Sequence, residues 1–183
     1  MKMMANDIEN HLRRKFEADL QARVRRTQEL SYLRIIGGHY FAAASSQCLE
    51  LYRDGYMLGC IMCSQVLLEA VLKFVAQRSK MEYRNEVEDL IRDLEANKIL
   101  NDKALNAAKL AWRHRNDFHH LNPGISVIDL ETKAKECVEA TCTLEEEIFG
   151  ASFVAGALSP RNQIYWDIDS DGTAPVYLRQ LDV

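Results

Sequence analysis

The stretch Tyr56-Met57-Leu58-Gly59-Cys60-Ile61-Met62-Cys63-Ser64-Gln65-Val66-Leu67-Leu68-Glu69-Ala70-Val71-Leu72-Lys73-Phe74-Val75 decides the architecture. Met57, Cys60, Ile61, Ser64, Leu67, Leu68, Val71, Leu72 and Val75 recur at steps of three and four, the period that gathers side chains on one face of a helix. The face is wider than a surface helix needs, so the segment, running to about Ser79, reads as the central buried helix of a bundle. Glu69 lies in its middle.

Helical signals continue on both sides. A helix from about His39 to Arg53 closes at Asp54-Gly55. Before the break at Gly37-Gly38, residues 6–34 read as one long helix that Asn6 or Asp7 can cap. In it Ile8, Leu12, Phe16, Leu20 and Val24 recur every four residues, a stripe that slants around the helix rather than forming a heptad seam. Arg13, Arg14, Lys15, Arg23, Arg25 and Arg26 make this segment basic. A solvated face on a helix that docks on the core or on a second copy explains them more simply than RNA contact does.

Downstream, Val87, Leu90, Ile91 and Leu94 mark a helix over about Arg84–Asn97. A fifth covers Asp102–His119, capped by Asn101 or Asp102 and stopped by Asn122-Pro123-Gly124. A sixth covers Ile128–Phe149, with Asp129 near its start. Residues 150–160 are small and read as a linker. Aromatic and β-branched runs at 163–168 and 174–178 flank Asp169-Ser170-Asp171-Gly172, the pattern of a β-hairpin. The expected fold is therefore all-α. Residues 1–37 form an N-terminal helical extension, 38–149 the bundle, and 150–183 a linker and small C-terminal β-hairpin.

Composition agrees. The chain has 183 residues, enough for one domain with a core, and only 8 Gly and 3 Pro punctuate it. A net charge of −4 argues against a protein that coats duplex DNA by bulk attraction, while leaving room for a local basic pocket. No uninterrupted apolar run of about 18 residues predicts a membrane span, and the first residues lack the apolar core of a signal peptide. The 5 Cys lie in apolar runs and read as free thiols in a reducing cytoplasm.

The densest polar cluster is Trp112-Arg113-His114-Arg115-Asn116-Asp117-Phe118-His119-His120. On a continuous helix Arg113, Asn116 and His120 share one face, and Arg115 and His119 a neighbouring one. The Pro-Gly break downstream can distort the last turn and bring Arg115 and His120 together. Such residues suit phosphodiester cleavage of RNA. Arginine offers a permanently charged planar fork to a phosphate, histidine exchanges protons near neutrality, and asparagine can orient either. RNA brings its own nucleophile, the 2′-hydroxyl, so no metal or other cofactor is required. A bland helix terminus, with His and Arg drawn to its negative end, is the competing account.

The runs Tyr40-Phe41-Ala42-Ala43-Ala44, Leu49-Glu50-Leu51-Tyr52-Arg53-Asp54-Gly55-Tyr56-Met57-Leu58-Gly59 and Leu67-Leu68-Glu69-Ala70-Val71-Leu72-Lys73 resemble the opening helical pair of the HEPN superfamily. Arg115-Asn116-Asp117-Phe118-His119-His120 resembles that family's Arg-x4–6-His signature in its Arg-Asn-x-x-x-His form. The resemblance covers about Gly38 to Phe149. It implies a metal-independent RNase, often a toxin or anti-phage defence protein, acting as a homodimer with the two motifs meeting across the interface. It also implies that Arg115 holds the phosphate, His120 acts as acid or base, and Asn116 positions them. Arg113 paired with His119 or His120 satisfies the same spacing, so His119 is an alternate and Arg113 a candidate substrate-binding residue. Glu69 either points toward the site or pairs with a nearby cation. Some toxins of the family carry, two residues after the histidine, a tyrosine that an antitoxin modifies; Asn122 stands there, so that form of control is not expected. Other members bind nucleotides or partner proteins without catalysis, so a binding module stays open as the alternative, as does an assembly subunit that makes its contacts through the N-terminal helix and hairpin.

Two further patterns carry less. Cys60-x-x-Cys63 is half a zinc site without its other half, and Cys137 and Cys142 also lie on an apolar helix. Asp167-x-Asp169-x-Asp171-Gly172 copies the start of a calcium loop, but Leu178 stands where a bidentate glutamate is needed.

Overall fold

The computed structural model describes residues 5–37, 40–83, 86–123, 125 and 129–179. The expected break at Gly38, the stop at Gly124 and the helix starts at His39, Arg84 and Ile128 fall outside these. The described chain is mostly helical: α1 (Ala5–Gln28), α2 (Phe41–Arg53), α3 (Met57–Arg78), α4 (Val87–Ala96), α5 (Asp102–Trp112), α6 (Arg115–His119) and α7 (Leu130–Phe149). Four short strands accompany them: β1 (Ile35–Gly37), β2 (Ala151–Val154), β3 (Ala157–Pro160) and β4 (Val176–Leu178).

The axis of the bundle is α3, which packs against α2, α4, α5, α6 and α7. Cys60, Ile61, Leu68, Leu72 and Val75 are almost wholly inaccessible to water. Among the described residues α3 alone is long and apolar enough to cross a membrane by length and composition, and its apolar face lies inside the bundle. Phe41 of α2, Phe74 of α3 and Phe149 of α7 form one aromatic cluster, with ring centroids 5.5–6.4 Å apart. Tilted and edge-on rings at such separations add to the area they bury.

The turns follow from local chemistry. Helix α2 ends in a Schellman motif: Tyr56 N donates to Leu51 O at 2.9 Å and Gly55 N to Tyr52 O at 3.1 Å, with Gly55 at φ +82°. The same closure ends α3 and α4, but there Lys80 and Lys98 hold φ +55°. Asn101 caps α5, accepting from Ala104 N at 2.9 Å, and Asp129 caps α7, accepting from Glu131 N and Thr132 N.

Three expectations need correction. The long N-terminal helix stops at Gln28, and residues 35–37 are a strand. The C-terminal hairpin is not at 163–178. It is β2–β3, inside the stretch read as a linker, with Ser152 opposite Ser159 and a two-residue turn of Ala155 (φ +51°) and Gly156 (φ +83°). Two positive φ values make the turn type that matches strand twist, and alanine in the first of them hides it from a reading that looks for Asn-Gly. Residues 163–165 instead form a 3-10 turn, and β4 pairs antiparallel with β1, Ile36 opposite Tyr177. Burial explains this: Tyr165 and Trp166 are 6% and 5% exposed, and the Trp166 ring lies on Gly37, where a Cβ would come within 2.8 Å of Cε2.

Two polar contacts tie the ends to the bundle. Arg179 and Glu145 pair at 3.0 Å with side chains 1% and 2% exposed. Arg179 also donates to Leu33 O, Ser45 Oγ and Ser46 Oγ. Burial pushes the Glu145 carboxyl up, and Arg179 and Ser45 oppose that. At the other end Arg26 donates to Arg53 O at 2.9 Å, Arg23 reaches Asp54 at 2.8 Å, and Arg25 pairs with Glu131. Half of the basic cluster of α1 thus serves to anchor it.

Candidate functional site

Arg113 to His120 sit where a helix breaks. Residues 102–119 read as one helix, but α5 ends at Trp112; Arg113 is extended at ψ 135° and His114 left-handed at φ 65° before α6 starts at Arg115. The face expected to join Arg113, Asn116 and His120 is therefore divided. A left-handed β-carbon-bearing residue is uncommon and costs about 1 kcal/mol or more. Neighbouring helices hold the break open. Gln65 of α3 donates to Ala111 O at 3.0 Å and Lys133 of α7 to Leu110 O at 3.0 Å. Both side chains are buried, so they stay on the carbonyls that a helix end leaves unpaired.

The break opens a cleft of about 690 Å³ whose lining includes Arg92, Lys109, Arg113 and Arg115 against Glu88 and Asp117. Its balance is positive on a chain that is negative overall, which favours an anion there. Trp112 forms a wall, its Nε1 donating to Glu88 Oε1 at 2.7 Å. The Arg115 guanidinium stands over the Trp112 ring, 5.4 Å from its centroid, and Nη1 donates to Asn116 Oδ1 at 3.3 Å. Its Nε is buried without a hydrogen-bond partner among the described residues.

His119 lies one turn beyond Arg115 on α6. Its Nε2 is likewise buried and unpartnered among the described residues. Burial, then the charges of Arg115 and His120, hold the His119 imidazole below its ordinary value of 6.5, and Glu69 opposes them. His119 thus feels the charges of Arg115, His120 and Glu69. Glu69 also accepts a hydrogen bond from Lys73 Nζ at 2.6 Å, the pairing that its position on α3 allowed. His120 is exposed, with its backbone N on Asn116 O. Arg113 and Asn116 line the cleft; His119, His120 and Glu69 are not in its lining.

One residue given no role in the sequence reading joins the site. His114 lines the cleft, and its Nδ1 lies 3.1 Å from Asp117 Oδ2. Asn122 and His114 bind the Asp117 carboxylate and hold it below the usual range. A carboxylate beside Nδ1 fixes the orientation of the imidazole ring at the cleft. The signal in the sequence was the His-x-x-Asp spacing.

Among the described residues no three His, Cys, Asp or Glu side chains gather as a metal-binding group. Cys60 faces Cys48 O, and Cys63 instead interacts with the Cys48 thiol, which draws Cys63 down to about 7. Asp167 pairs with Arg78, and Asp169 to Thr173 close a turn, Asp171 binding Thr173. No family model, curated protein or solved structure matches the chain.

Proposed function

We propose that the chain is a metal-independent endoribonuclease of the HEPN type that works as a homodimer in the cytoplasm. The observation that carries this reading is the pair of buried, unpartnered atoms one helical turn apart, Arg115 Nε and His119 Nε2, beside a cleft rich in cations. Buried polar atoms are nearly always partnered; Arg23, Ser64, Gln65 and Trp166 also hold such an atom, but only Arg115 and His119 carry theirs on the short helix beside the cation-rich cleft. Arg115 and Arg113 hold the scissile phosphate, and Asn116 orients Arg115. His120 takes the proton of the 2′-hydroxyl, with His119 as the alternate. The 2′-oxygen attacks phosphorus, the P–O5′ bond breaks, and the 5′-oxygen leaves with a proton from an imidazolium. The products are a 2′,3′-cyclic phosphate and a 5′-hydroxyl. Arginine stabilises the charge that builds on the phosphorane oxygens. A toxin or anti-phage role, controlled by an antitoxin or other regulatory protein, fits such an activity.

Cleavage of mixed RNA in EDTA tests it. Wild type is expected to cut, with Arg115→Ala and His120→Ala each slower by about 100-fold or more at unchanged circular dichroism. Products carrying a 3′-hydroxyl and 5′-phosphate would refute the mechanism.

A second reading is a module that binds a nucleotide or partner without cleaving. It is favoured by the position of His119 and His120 outside the cleft lining. Well-folded wild type that binds nucleotide in the cleft, and leaves RNA intact, would establish it.

A further inference from the structure

Helix α1 leaves the bundle with an apolar stripe uncovered. Every residue from Ala5 to Ala18 is exposed, and Ile8, Leu12, Phe16, Leu20 and Val24 are 45%, 59%, 49%, 40% and 43% accessible. The exposed 5–18 stretch is short enough to be marginal as a helix in water, and an amphipathic helix derives its stability from what covers its apolar face. A shallow groove along Ile8, Leu12 and Phe16 follows the stripe.

The order of residues identifies the cover. Leu12 and Leu20 flank Phe16 at equal distance, and the β-branched Ile8 and Val24 flank these again, so the stripe has nearly the same shape read from either end. We propose that a second copy of this chain covers it, with the two α1 helices antiparallel about a two-fold axis beside Phe16. Ile8 then meets the partner's Val24, Leu12 the partner's Leu20, and Phe16 the partner's Phe16. A two-fold contact requires this self-complementarity. The four-residue spacing also sets the geometry: two such ridges interdigitate when the helices cross at roughly −50° rather than running side by side. The contact therefore centres on Leu12, Phe16 and Leu20.

Charge selects the antiparallel direction. At 100° per residue, Arg13 and Glu17 lie on one flank of the stripe and Lys15 and Asp19 on the other. Antiparallel pairing brings Arg13, which in the single chain holds Glu9, beside the partner's Glu17, and Lys15 beside the partner's Asp19, which Arg23 and Arg26 of its own chain also hold. Parallel pairing sets the run Arg13-Arg14-Lys15 against its own copy. A bilayer is a poorer cover, because Glu9, Glu17 and Asp19 border the stripe and Arg23, Arg25 and Arg26 are already held by bundle groups. This contact rests on the homodimer proposed above and places it on α1, and RNA cleavage in EDTA tests the cleft's chemistry separately.

Sedimentation velocity of the full chain across a concentration series is the test, with circular dichroism of each variant. Wild type is expected to dimerise, and Phe16→Glu to raise Kd by about 100-fold or more. Arg13→Glu alone and Glu17→Arg alone each place like charges together and raise Kd by about tenfold. An equimolar mixture of these two variants restores both cross-pairs and is expected to return close to the wild-type Kd. A monomer at every concentration would overturn the proposal. So would a dimer indifferent to Phe16→Glu, or a mixture no tighter than its components. Wild-type monomer that binds anionic phosphatidylserine vesicles through Phe16 would also overturn it and assign the stripe to a membrane.

Discussion

At the scale of single residues, His119 couples the candidate site to stability. Its folded-state value lies below the ordinary 6.5, so between these two values the unfolded chain binds more protons than the folded one. Its contribution to stability is complete above about 6.5 and falls as pH drops through that window. His119→Gln is expected to remove this acid sensitivity: urea midpoints measured on either side of the window should converge relative to wild type. An unchanged pH slope would mean that the imidazole is solvated. Arg115, Asn116 and His120 stand out in the sequence because they follow a recognisable spacing. His114 has only its His-x-x-Asp spacing to mark it, because the left-handed φ of 65° at which the helix breaks there leaves no trace in composition. Its cause lies elsewhere in the chain, in Gln65 and Lys133 holding the carbonyls of Ala111 and Leu110.

At the scale of elements, what repeats along the chain could be read and what depends on distant partners could not. The three- and four-residue steps of α3 are local and appear where expected, and of the two cap candidates for α5 it is Asn101 that accepts from the helix. The tail is different. Tyr165, Trp166 and Tyr177 look alike in a β pattern, yet two of them are buried against α3 and β1 while Tyr177 stays 39% exposed in a strand. Tertiary packing decided which, as it commonly does for strands. Gly37 records that contact. Gly37→Ala puts a methyl into the Trp166 ring and is expected to destabilise by about 1–3 kcal/mol, seen as a lower thermal midpoint and shifted tryptophan emission. Equal stability would mean that the ring moves aside freely.

At the scale of the whole molecule, the parts divided in the sequence as an extension, a bundle and a tail are interlocked. Arg179 of the tail, Leu33 of the N-terminal segment, Ser45 of α2 and Glu145 of α7 meet at one buried point. Removing one member of such a group leaves a charge without compensation. Arg179→Met is expected to cost about 3–5 kcal/mol, and Glu145→Leu added to it should recover much of that loss. Chemical denaturation of the two single variants and the double variant measures the coupling. Additive losses would show that the pair acts through packing alone.

The pairing of β1 with β4 has a consequence for covalent topology. Ile35 stands opposite Leu178, and both are exposed, at 37% and 63%. A bond between these positions would turn the segment carrying every helix from α2 to α7 into a closed loop. The entropy that the unfolded chain loses on such a closure grows with loop length, and for a ring of this size it amounts to about 5 kcal/mol at most. Cysteines at 35 and 178 should therefore give a protein whose unfolding midpoint drops on adding reductant, while α1 lies outside the ring and is held only by its contacts with the bundle.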